Sequence, residues 1–328
     1  MNILITGGAG FIGSHVSEYF IKKKCKKLVI IDDLKDGSVK NLKSIIKNKN
    51  LILVKENILN KKKIKKYFKN INKVIHLAAL SDIVPSIDNP EDYLNTNISG
   101  TMNILECMRE NGVKEIVYAA SSSCYGIPKK YPTSEKESCD PKYPYAFSKY
   151  IGEKLLHHWS KVYGINYISL RLFNVYGTRS RTHGAYGAAL GIFLKQKLEN
   201  KPFTVVGNGR QKRDFINVRD VAKCFYIASQ FKKKNQIYNV GSGKPISINH
   251  LTSLIGGKKI YIPKRPGEPN ITHANIKKIT SQLNWKPTIT LEDGIREVTE
   301  NINYWKNSPL WTPKKIRIAT KDWYKYLG

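Results

Sequence analysis

The sequence predicts a doubly wound α/β fold, in which helices cover both faces of a parallel β-sheet. Short apolar segments that are typical of buried strands recur through the first 170 or so residues, and helical patterns separate them. The first apolar segment, residues 3–5, leads directly into a glycine-rich turn. From about residue 175 the alternation breaks, which predicts a smaller second part interleaved with the sheet.

The glycine-rich turn has the spacing of a dinucleotide-binding loop. Gly7, Gly10 and Gly13 follow the pattern G-x-x-G-x-x-G between a predicted strand and a predicted helix. The first glycine allows the tight turn, the second lets a pyrophosphate approach the backbone, and the third lets helix and strand pack closely. Phe11 and Ile12 open the helix, whose first amides are expected to face the phosphates.

An acidic residue ends the second predicted strand. Residues 28–31 are apolar and lead to Asp32, nineteen residues after Gly13, with Asp33 beside it. An acid at this point accepts hydrogen bonds from the adenosine ribose, which favours NAD over NADP. An ordinary acidic turn is the alternative, and the glycine pattern before it argues against that reading.

The next strands are expected to bring further residues to the cofactor. A third strand at residues 51–54 leads to a loop with Asn57 and Ile58. A fourth strand begins at residue 74 and runs into a turn of small residues. A long helix that begins near Pro90 contains Asn97. The predicted cofactor contacts in this region are Asn57, Ile58, Leu77, Ala78, Ala79 and Asn97.

The fifth strand, residues 116–120, delivers Ser121 to the edge of the sheet where ligands bind. Tyr145 and Lys149 follow on a predicted helix, four residues apart and therefore on one face. A tyrosine has a pKa of about 10, and a neighbouring ammonium group favours its phenolate form. These three residues therefore predict a base, Tyr145, a lysine that tunes its pKa, Lys149, and a serine that orients the substrate hydroxyl, Ser121. The same spacing also occurs on solvated helices, so the preceding chain decides between these readings.

Composition excludes several other classes of protein. The chain has 328 residues, 41% of them hydrophobic, and no apolar run approaches the roughly 20 residues of a membrane span. Five cysteines without C-x-x-C spacing predict a reducing, cytoplasmic environment and no disulfide framework or metal site. No signal peptide is expected at Met1. The net charge of +31 comes from scattered lysines, which predicts a lysine-rich surface and no specific nucleic-acid partner.

Over roughly residues 1–300 the chain resembles the extended short-chain dehydrogenase/reductases, close to the nucleoside-diphosphate-sugar 4-epimerases. The resemblance implies a Rossmann-type NAD domain at residues 1–174, with a later strand from about residues 210–240. It implies a smaller nucleotide-sugar domain and a tail at residues 175–328. By matching position, Ser121, Tyr145 and Lys149 resemble the family's catalytic residues.

The resemblance also implies a set of substrate contacts. Asn174 and two arginines resemble the groups that hold the diphosphate, which suits guanidinium forks. A strand at residues 203–207 resembles the strand that pairs with the nucleotide base through its backbone. Thr272 stands where residue size limits the sugar's C2 substituent, and threonine predicts an open pocket. The implied substrate residues are Ser121, Ser122, Ser123, Tyr145, Asn174, Thr204, Val205, Arg213, Arg265, Glu268 and Thr272.

The chain departs from the family pattern at several places. Asn57 stands where the family usually has an aspartate near the adenine, and Asn275 replaces a common aspartate after Arg265. A tail with aromatic residues, from about Asn303 to Tyr326, extends beyond the family core and is expected to pack on the body.

The sequence therefore predicts an NAD-dependent nucleotide-sugar 4-epimerase acting in sugar or polysaccharide precursor synthesis. One alternative is a nucleotide-sugar 4-dehydrogenase, acting for example on a heptose, that releases the ketone. Another is a non-catalytic protein of the same fold that binds NAD or polyanions. Nucleotide-sugar dehydratases carry two acids where this chain has Ser122 and Ser123, so elimination of water is not expected. By resemblance, the long helices near Pro90–Asn111 and Pro144–Tyr163 are expected to form a homodimer interface.

Overall fold

The computed structural model describes residues 1–180 and 189–328. In this part of the chain the strands are β1 (Asn2–Thr6), β2 (Lys27–Asp32), β3 (Leu51–Lys55), β4 (Lys73–His76), β5 (Glu115–Ser121), β6 (Asn166–Leu172), β7 (Asn174–Tyr176), β8 (Phe203–Val206), β9 (Lys212–Arg213), β10 (Phe215–Asn217), β11 (Gln236–Val240), β12 (Ile246–Ser247) and β13 (Lys259–Ile262).

The helices of the same residues are α1 (Phe11–Lys22), α2 (Lys61–Ile64), α3 (Ile83–Asp88), α4 (Pro90–Leu94), α5 (Gly100–Glu110), α6 (Pro144–Tyr163), α7 (Ala189–Leu198), α8 (Val218–Gln230), α9 (Ile248–Ile255), α10 (Lys277–Leu283), α11 (Leu291–Glu300), α12 (Pro313–Ala319) and α13 (Lys321–Leu327). A π-helical segment, Asn95–Ser99, joins α4 to α5. Short 3₁₀ turns lie at Val39–Leu42, Lys65–Phe68, Ser122–Tyr125 and Ile302–Trp305.

The described residues form a seven-stranded parallel sheet in the order β3-β2-β1-β4-β5-β6-β11. The order reverses at β1, where one half of the chain builds outward through β2 and β3 and the other through β4. In such a sheet the ligand lies in the crevice at the carboxyl ends of the strands beside this reversal. The predicted doubly wound α/β class is confirmed.

Helices cover both faces of the sheet because its strands are apolar on both sides. On one face α1 and α8 pack through a core that includes Val16, Phe20 and Phe225. On the other face α5 and α6 bury Ile104 and Leu156. β11 completes the sheet late in the chain. The division at residue 174 stays a prediction.

The second part has a core of its own. α7, α9 and α11 pack around β8, with Trp305 fully buried among them. The tail helices α12 and α13 pack through Ile316 and Trp323 onto α3 and α7. The tail thus packs on the body, as the sequence predicts.

Candidate active site

Ser121 and Tyr145 meet at the carboxyl edge of the sheet. Ser121 is the last residue of β5 and is buried, and Tyr145 lies in the first turn of α6. The two side chains share a hydrogen bond. Ser121 Oγ also accepts a hydrogen bond from the amide of Ser123, with a nitrogen–oxygen distance of 3.2 Å. The serine therefore holds the tyrosine oxygen in one position.

The surroundings of Tyr145 keep it protonated in the absence of a neighbouring cation. Burial raises the pKa of Tyr145, while the hydrogen bond from Ser121 acts in the opposite direction. The ring of Tyr93 lies edge-on to it, with the centroids 6.5 Å apart. A positive charge close to the ring is therefore needed before Tyr145 acts as a base near neutral pH.

Lys149 lies one turn further along α6 and is almost fully buried. Its Nζ is 4.3 Å from the centroid of the Tyr118 ring, at cation–π distance. Burial lowers the pKa of Lys149 to about 7. The lysine thus exchanges its proton near neutral pH, and its predicted tuning of Tyr145 stays a prediction.

Tyr118 is a neighbour of the catalytic residues that sequence reasoning missed. Its hydroxyl donates a hydrogen bond to the carbonyl of Lys149 at 3.3 Å. A side chain at Gly152 would collide with this hydroxyl, so glycine there allows α6 to pack closely on β5. Gly152, a small residue three positions after Lys149, was the sequence signal that could have indicated this close packing.

Asn97 joins three segments of the predicted cofactor region. Its side-chain oxygen accepts a hydrogen bond from the amide of Leu80 at 2.8 Å. Its side-chain nitrogen donates to the carbonyl of Leu80 at 3.0 Å and to the hydroxyl of Ser148 at 2.8 Å. Asn97 therefore ties the turn after β4 to the helix that carries Tyr145 and Lys149.

The turn after β1 and the start of α1 form a cradle of closely packed backbone. Gly7 has φ of +69°, and a Cβ at this position would approach the amide nitrogen of Ala78 to 2.7 Å. A Cβ at Gly13 would collide with the carbonyl oxygen of Gly7. Since only glycine fits at both positions, the turn packs directly on the backbone after β4 and on the start of α1, which is the close helix–strand packing of a dinucleotide-binding loop. This geometry fits a dinucleotide.

Asp32 lies at the end of β2 with its carboxylate against the glycine loop. It accepts hydrogen bonds from the amides of Ala9 and Leu34, both at 2.9 Å. Burial raises the pKa of Asp32, and these two hydrogen bonds oppose the effect. The carboxylate is thereby oriented beside the cradle, where the predicted ribose contact requires an acceptor.

The loop after β3 lies beside Asp33, the residue that follows Asp32. The side-chain nitrogen of Asn57 donates to Asp33 at 2.8 Å, and its oxygen accepts the amide of Leu59 at 2.8 Å. Ile58 is buried and packs against Gly100 of α5. The remaining predicted cofactor residues are partly exposed at the same edge: Gly10, Phe11, Ile12, Leu77, Ala78 and Ala79.

Two arginines and a glutamate form an ion-pair cluster in the second part. Glu268 lies 2.6 Å from Arg265 and 3.7 Å from Arg213, measured between nitrogen and oxygen. Burial lowers the pKa of Arg213, the Glu268 carboxylate raises it, and Arg265 lowers it. Because one carboxylate faces two guanidinium groups, the cluster keeps a net positive charge that suits a diphosphate.

A cavity of about 500 Å³ opens beside this cluster. Arg213 and Glu268 line it as predicted, but most of the lining, including Val206, Asn208, Gln211 and Asn270, was not predicted from the sequence. The glycine-flanked turn directly after β8 was the signal that could have found it. The cavity has the size of a small-ligand site.

Thr204 and Val205 are buried within β8 and are not in the cavity lining of the described residues. The amide of Thr204 donates to the side chain of Gln196 at 3.1 Å. The cavity instead begins at Val206, where β8 ends. Backbone pairing of this strand with a nucleotide base stays a prediction.

Asn174 and Thr272 are brought together from distant segments. The hydroxyl of Thr272 donates to the side-chain oxygen of Asn174 at 3.0 Å and accepts the amide of Asp214 at 3.1 Å. Ser122 and Ser123 lie in the turn after Ser121 and are partly exposed.

A family model described as the NAD dependent epimerase/dehydratase family matches residues 3–241. The chain belongs to this family. Its enzymatic nature and NAD as its cofactor, both predicted from the sequence, are thereby confirmed. The matched region contains the glycine loop, Asp32, Ser121, Tyr145 and Lys149.

Individual members of the family are similar over nearly the whole chain. A UDP-glucuronate 4-epimerase from Thermodesulfobacterium geofontis is 34% identical over 330 residues, which cover 96% of this chain and 99% of that protein. The crystal structure of UDP-glucose 4-epimerase from Thermotoga maritima with UDP-glucose is 32% identical with a TM-score of 0.86, covering 92% of this chain and 98% of that one. A UDP-glucuronic acid 4-epimerase from Bacillus cereus, in complex with UDP-glucuronic acid and NAD, is 32% identical with a TM-score of 0.87 and covers 92% and 99%.

The described residues contain neither a metal-binding cluster nor a membrane-spanning helix. No group of three or more histidine, cysteine or acidic side chains within residues 1–180 and 189–328 is arranged to hold a metal ion. In the same ranges every helix is too short or too polar to cross a membrane.

Proposed function

We propose that the protein is an NAD-dependent UDP-sugar 4-epimerase. The observation that carries the proposal is the hydrogen bond between Ser121 and Tyr145, with Lys149 one helical turn away at the edge of the NAD cradle. The relatives named as UDP-glucose and UDP-glucuronate 4-epimerases support the choice of reaction and of nucleotide.

In the proposed reaction Tyr145 takes the proton of the sugar C4 hydroxyl. Ser121 orients that hydroxyl, and Lys149 supplies positive charge to the tyrosine oxygen. NAD, held by the glycine loop and Asp32, would supply a reversible hydride acceptor for C4. Tyr145 then gives the proton back to the C4 oxygen, so that the tyrosine ends the turnover in its starting protonation state.

The arginine cluster has a separate task in this mechanism. Arg213, Arg265 and Asn174 hold the diphosphate, which leaves the hexose free to turn over between the two hydride transfers. Remote binding energy of this kind anchors the substrate without restricting the reacting group. The net positive charge of the cluster with Glu268 supports this assignment.

Elimination of water is not part of the proposal. It requires an acid and a base beside C5 and C6, and the corresponding side chains here are Ser122 and Ser123. A hydroxyl has no acid–base capacity near neutral pH comparable to that of a carboxylate. The product should therefore retain its oxygen at C6.

The proposal is tested by incubating NAD-loaded protein with UDP-glucose, UDP-glucuronic acid and UDP-N-acetylglucosamine. The C4 configuration is followed by proton NMR. We expect the C4 epimer of at least one of them, without net formation of NADH. Stoichiometric NADH with a released ketone would instead establish the dehydrogenase alternative, and a 4-keto-6-deoxy product would establish elimination.

A further inference from the structure

The C-terminal helix α13 contacts the loop that carries Arg265. Trp323 is buried in α13, and its ring lies 5.6 Å from the Arg265 guanidinium carbon, measured to the ring centroid. This distance is that of a cation–π contact. The tail thus supplies an aromatic surface to one of the two arginines of the proposed diphosphate clamp.

The same tryptophan also holds the backbone of this loop. Its indole N–H donates to the carbonyl of Pro266 at 2.7 Å. The hydroxyl of Tyr324, the next residue of α13, lies within hydrogen-bond distance of the carbonyls of Pro263 at 3.2 Å and Lys264 at 3.3 Å. Side chains of the tail therefore reach backbone groups on both sides of Arg265.

Trp323 reaches toward the catalytic residues as well. Its ring packs on Tyr143 with the centroids 5.8 Å apart, and Tyr143 shares a hydrogen bond with Ser123. Tyr143 precedes the first residue of α6, two positions before Tyr145. A single buried side chain thus packs between the arginine cluster and the N-terminus of the catalytic helix.

We propose that Trp323 is a positioning residue for substrate binding, which holds Arg265 where it meets the substrate diphosphate. The proposal rests on the proposed function for the role of Arg265. An arginine on a loop has many rotamers, and ordering it before the ligand arrives reduces the entropy lost on binding. The ring of Trp323 restricts the guanidinium, its N–H restricts the loop, and the ion pair with Glu268 also restricts the guanidinium.

The test measures UDP affinity by calorimetry for the NAD-loaded wild type and for two variants at this position. Trp323→Phe keeps a ring face for Arg265 and loses the N–H, whereas Trp323→Leu loses both. We expect the Kd for UDP to rise about tenfold in Trp323→Leu and by a smaller factor in Trp323→Phe. In turnover the loss should appear in KM for the UDP-sugar, with kcat within about twofold of the wild type.

A double-mutant cycle separates positioning from general loosening of the fold. In an Arg265→Gln background, Trp323→Leu should cause almost no further loss of UDP affinity, because its effect acts through the arginine. Trp305→Phe is the matched control, since Trp305 is a fully buried tryptophan of the second part's core. It should leave the Kd for UDP unchanged, and melting curves of all variants report any loss of stability.

Unchanged UDP affinity in Trp323→Leu, or an equal further loss in the Arg265→Gln background, would overturn the positioning role while leaving the epimerase proposal intact. Conversely, a wild type that binds UDP without inverting C4 would refute the epimerase proposal, and the affinities would still decide the role of Trp323. A wild type that binds no UDP would overturn both.

Discussion

The hydroxyl of Thr272 donates a hydrogen bond to the side-chain oxygen of Asn174, 3.0 Å away, across 98 residues of sequence. It also accepts the amide of Asp214 at 3.1 Å. With its oxygen engaged in this way, Asn174 can direct its amide N–H groups toward an anionic ligand. Thr272, which the family resemblance implies to limit sugar size, therefore also orients Asn174, the proposed contact of the diphosphate.

Removing this hydroxyl at nearly constant volume should weaken substrate binding. Thr272→Val leaves the amide of Asp214 without this partner and frees the Asn174 side chain. A hydrogen bond of this kind contributes about 1 kcal/mol, so we expect the Kd for UDP to rise about fivefold. Thr272→Ser keeps the hydroxyl and is the control. Equal affinities in the two variants would refute the orienting role.

Enlarging the same residue tests its predicted role as a gate. Thr272→Tyr should reduce kcat/KM for an N-acetylated UDP-hexose more than for the plain UDP-hexose, because overpacking acts on the bulkier substituent. The ratio of the two kcat/KM values is the measurement. An unchanged ratio would mean that Thr272 does not line the sugar pocket.

Removing the oxygen of Tyr145 tests the proposed base. Tyr145→Phe should lower kcat by about 10² to 10⁴-fold, which is the typical contribution of general base catalysis, and leave the amount of bound NAD unchanged. The control is Tyr163→Phe, at the exposed far end of α6. Near-normal turnover in Tyr145→Phe would contradict the assignment.

The burial of Lys149 should make stability depend on pH. Its pKa is about 7 in the folded protein and about 10.4 in an unfolded chain. Between these values the unfolded state binds one more proton, so this group makes the free energy of unfolding increase as pH rises. Below pH 7 both states carry the charge, and its burial destabilises the folded state.

Lys149→Met lacks this group, so its stability relative to the wild type should be greater at pH 6 than at pH 9. We expect a difference on the order of 2 kcal/mol in urea unfolding of the NAD-free proteins. Lys154→Met, which replaces an exposed lysine of the same helix, is the control for loss of a charge. An equal effect of Lys149→Met at both pH values would contradict a buried lysine with a lowered pKa.

The homodimer also stays a prediction, and the structure narrows the residues that could form its interface. Tyr93, Ile104, Leu105 and Leu156, apolar residues of the two helical regions that are expected to form it, are buried within the subunit.

Met102 of α5 is 40% exposed and Val162 of α6 is 55% exposed on the same pair of helices. We expect light scattering to show a dimer at micromolar concentration and Met102→Glu to shift it toward monomer, since a charge at an apolar interface is unfavourable. Ile318→Glu, on the exposed face of the tail helix α12, should leave the dimer intact. A monomeric wild type would refute the prediction.

The features that the sequence predicted well depend on local pattern. Apolar runs and their separation predict a parallel sheet, because strands that are buried on both faces are mostly apolar. Parallel strands also end at one edge, so Asp32 and Ser121 were expected there, and they lie there. The meeting of Ser121 with Tyr145 follows from that edge together with the start of α6.

Only the tertiary structure decided the contacts between distant loops. No periodic pattern in the sequence indicates the cation–π contact of Trp323 with Arg265, the hydrogen bond from Thr272 to Asn174 or the cavity beyond Val206. They depend on how irregular segments of the second part pack against one another, where many arrangements satisfy the same local preferences. Helical and strand spacing therefore determined the parallel sheet and the glycine loop, whereas the packing of the second part and the tail decided the contacts around Arg265, Asn174 and the cavity.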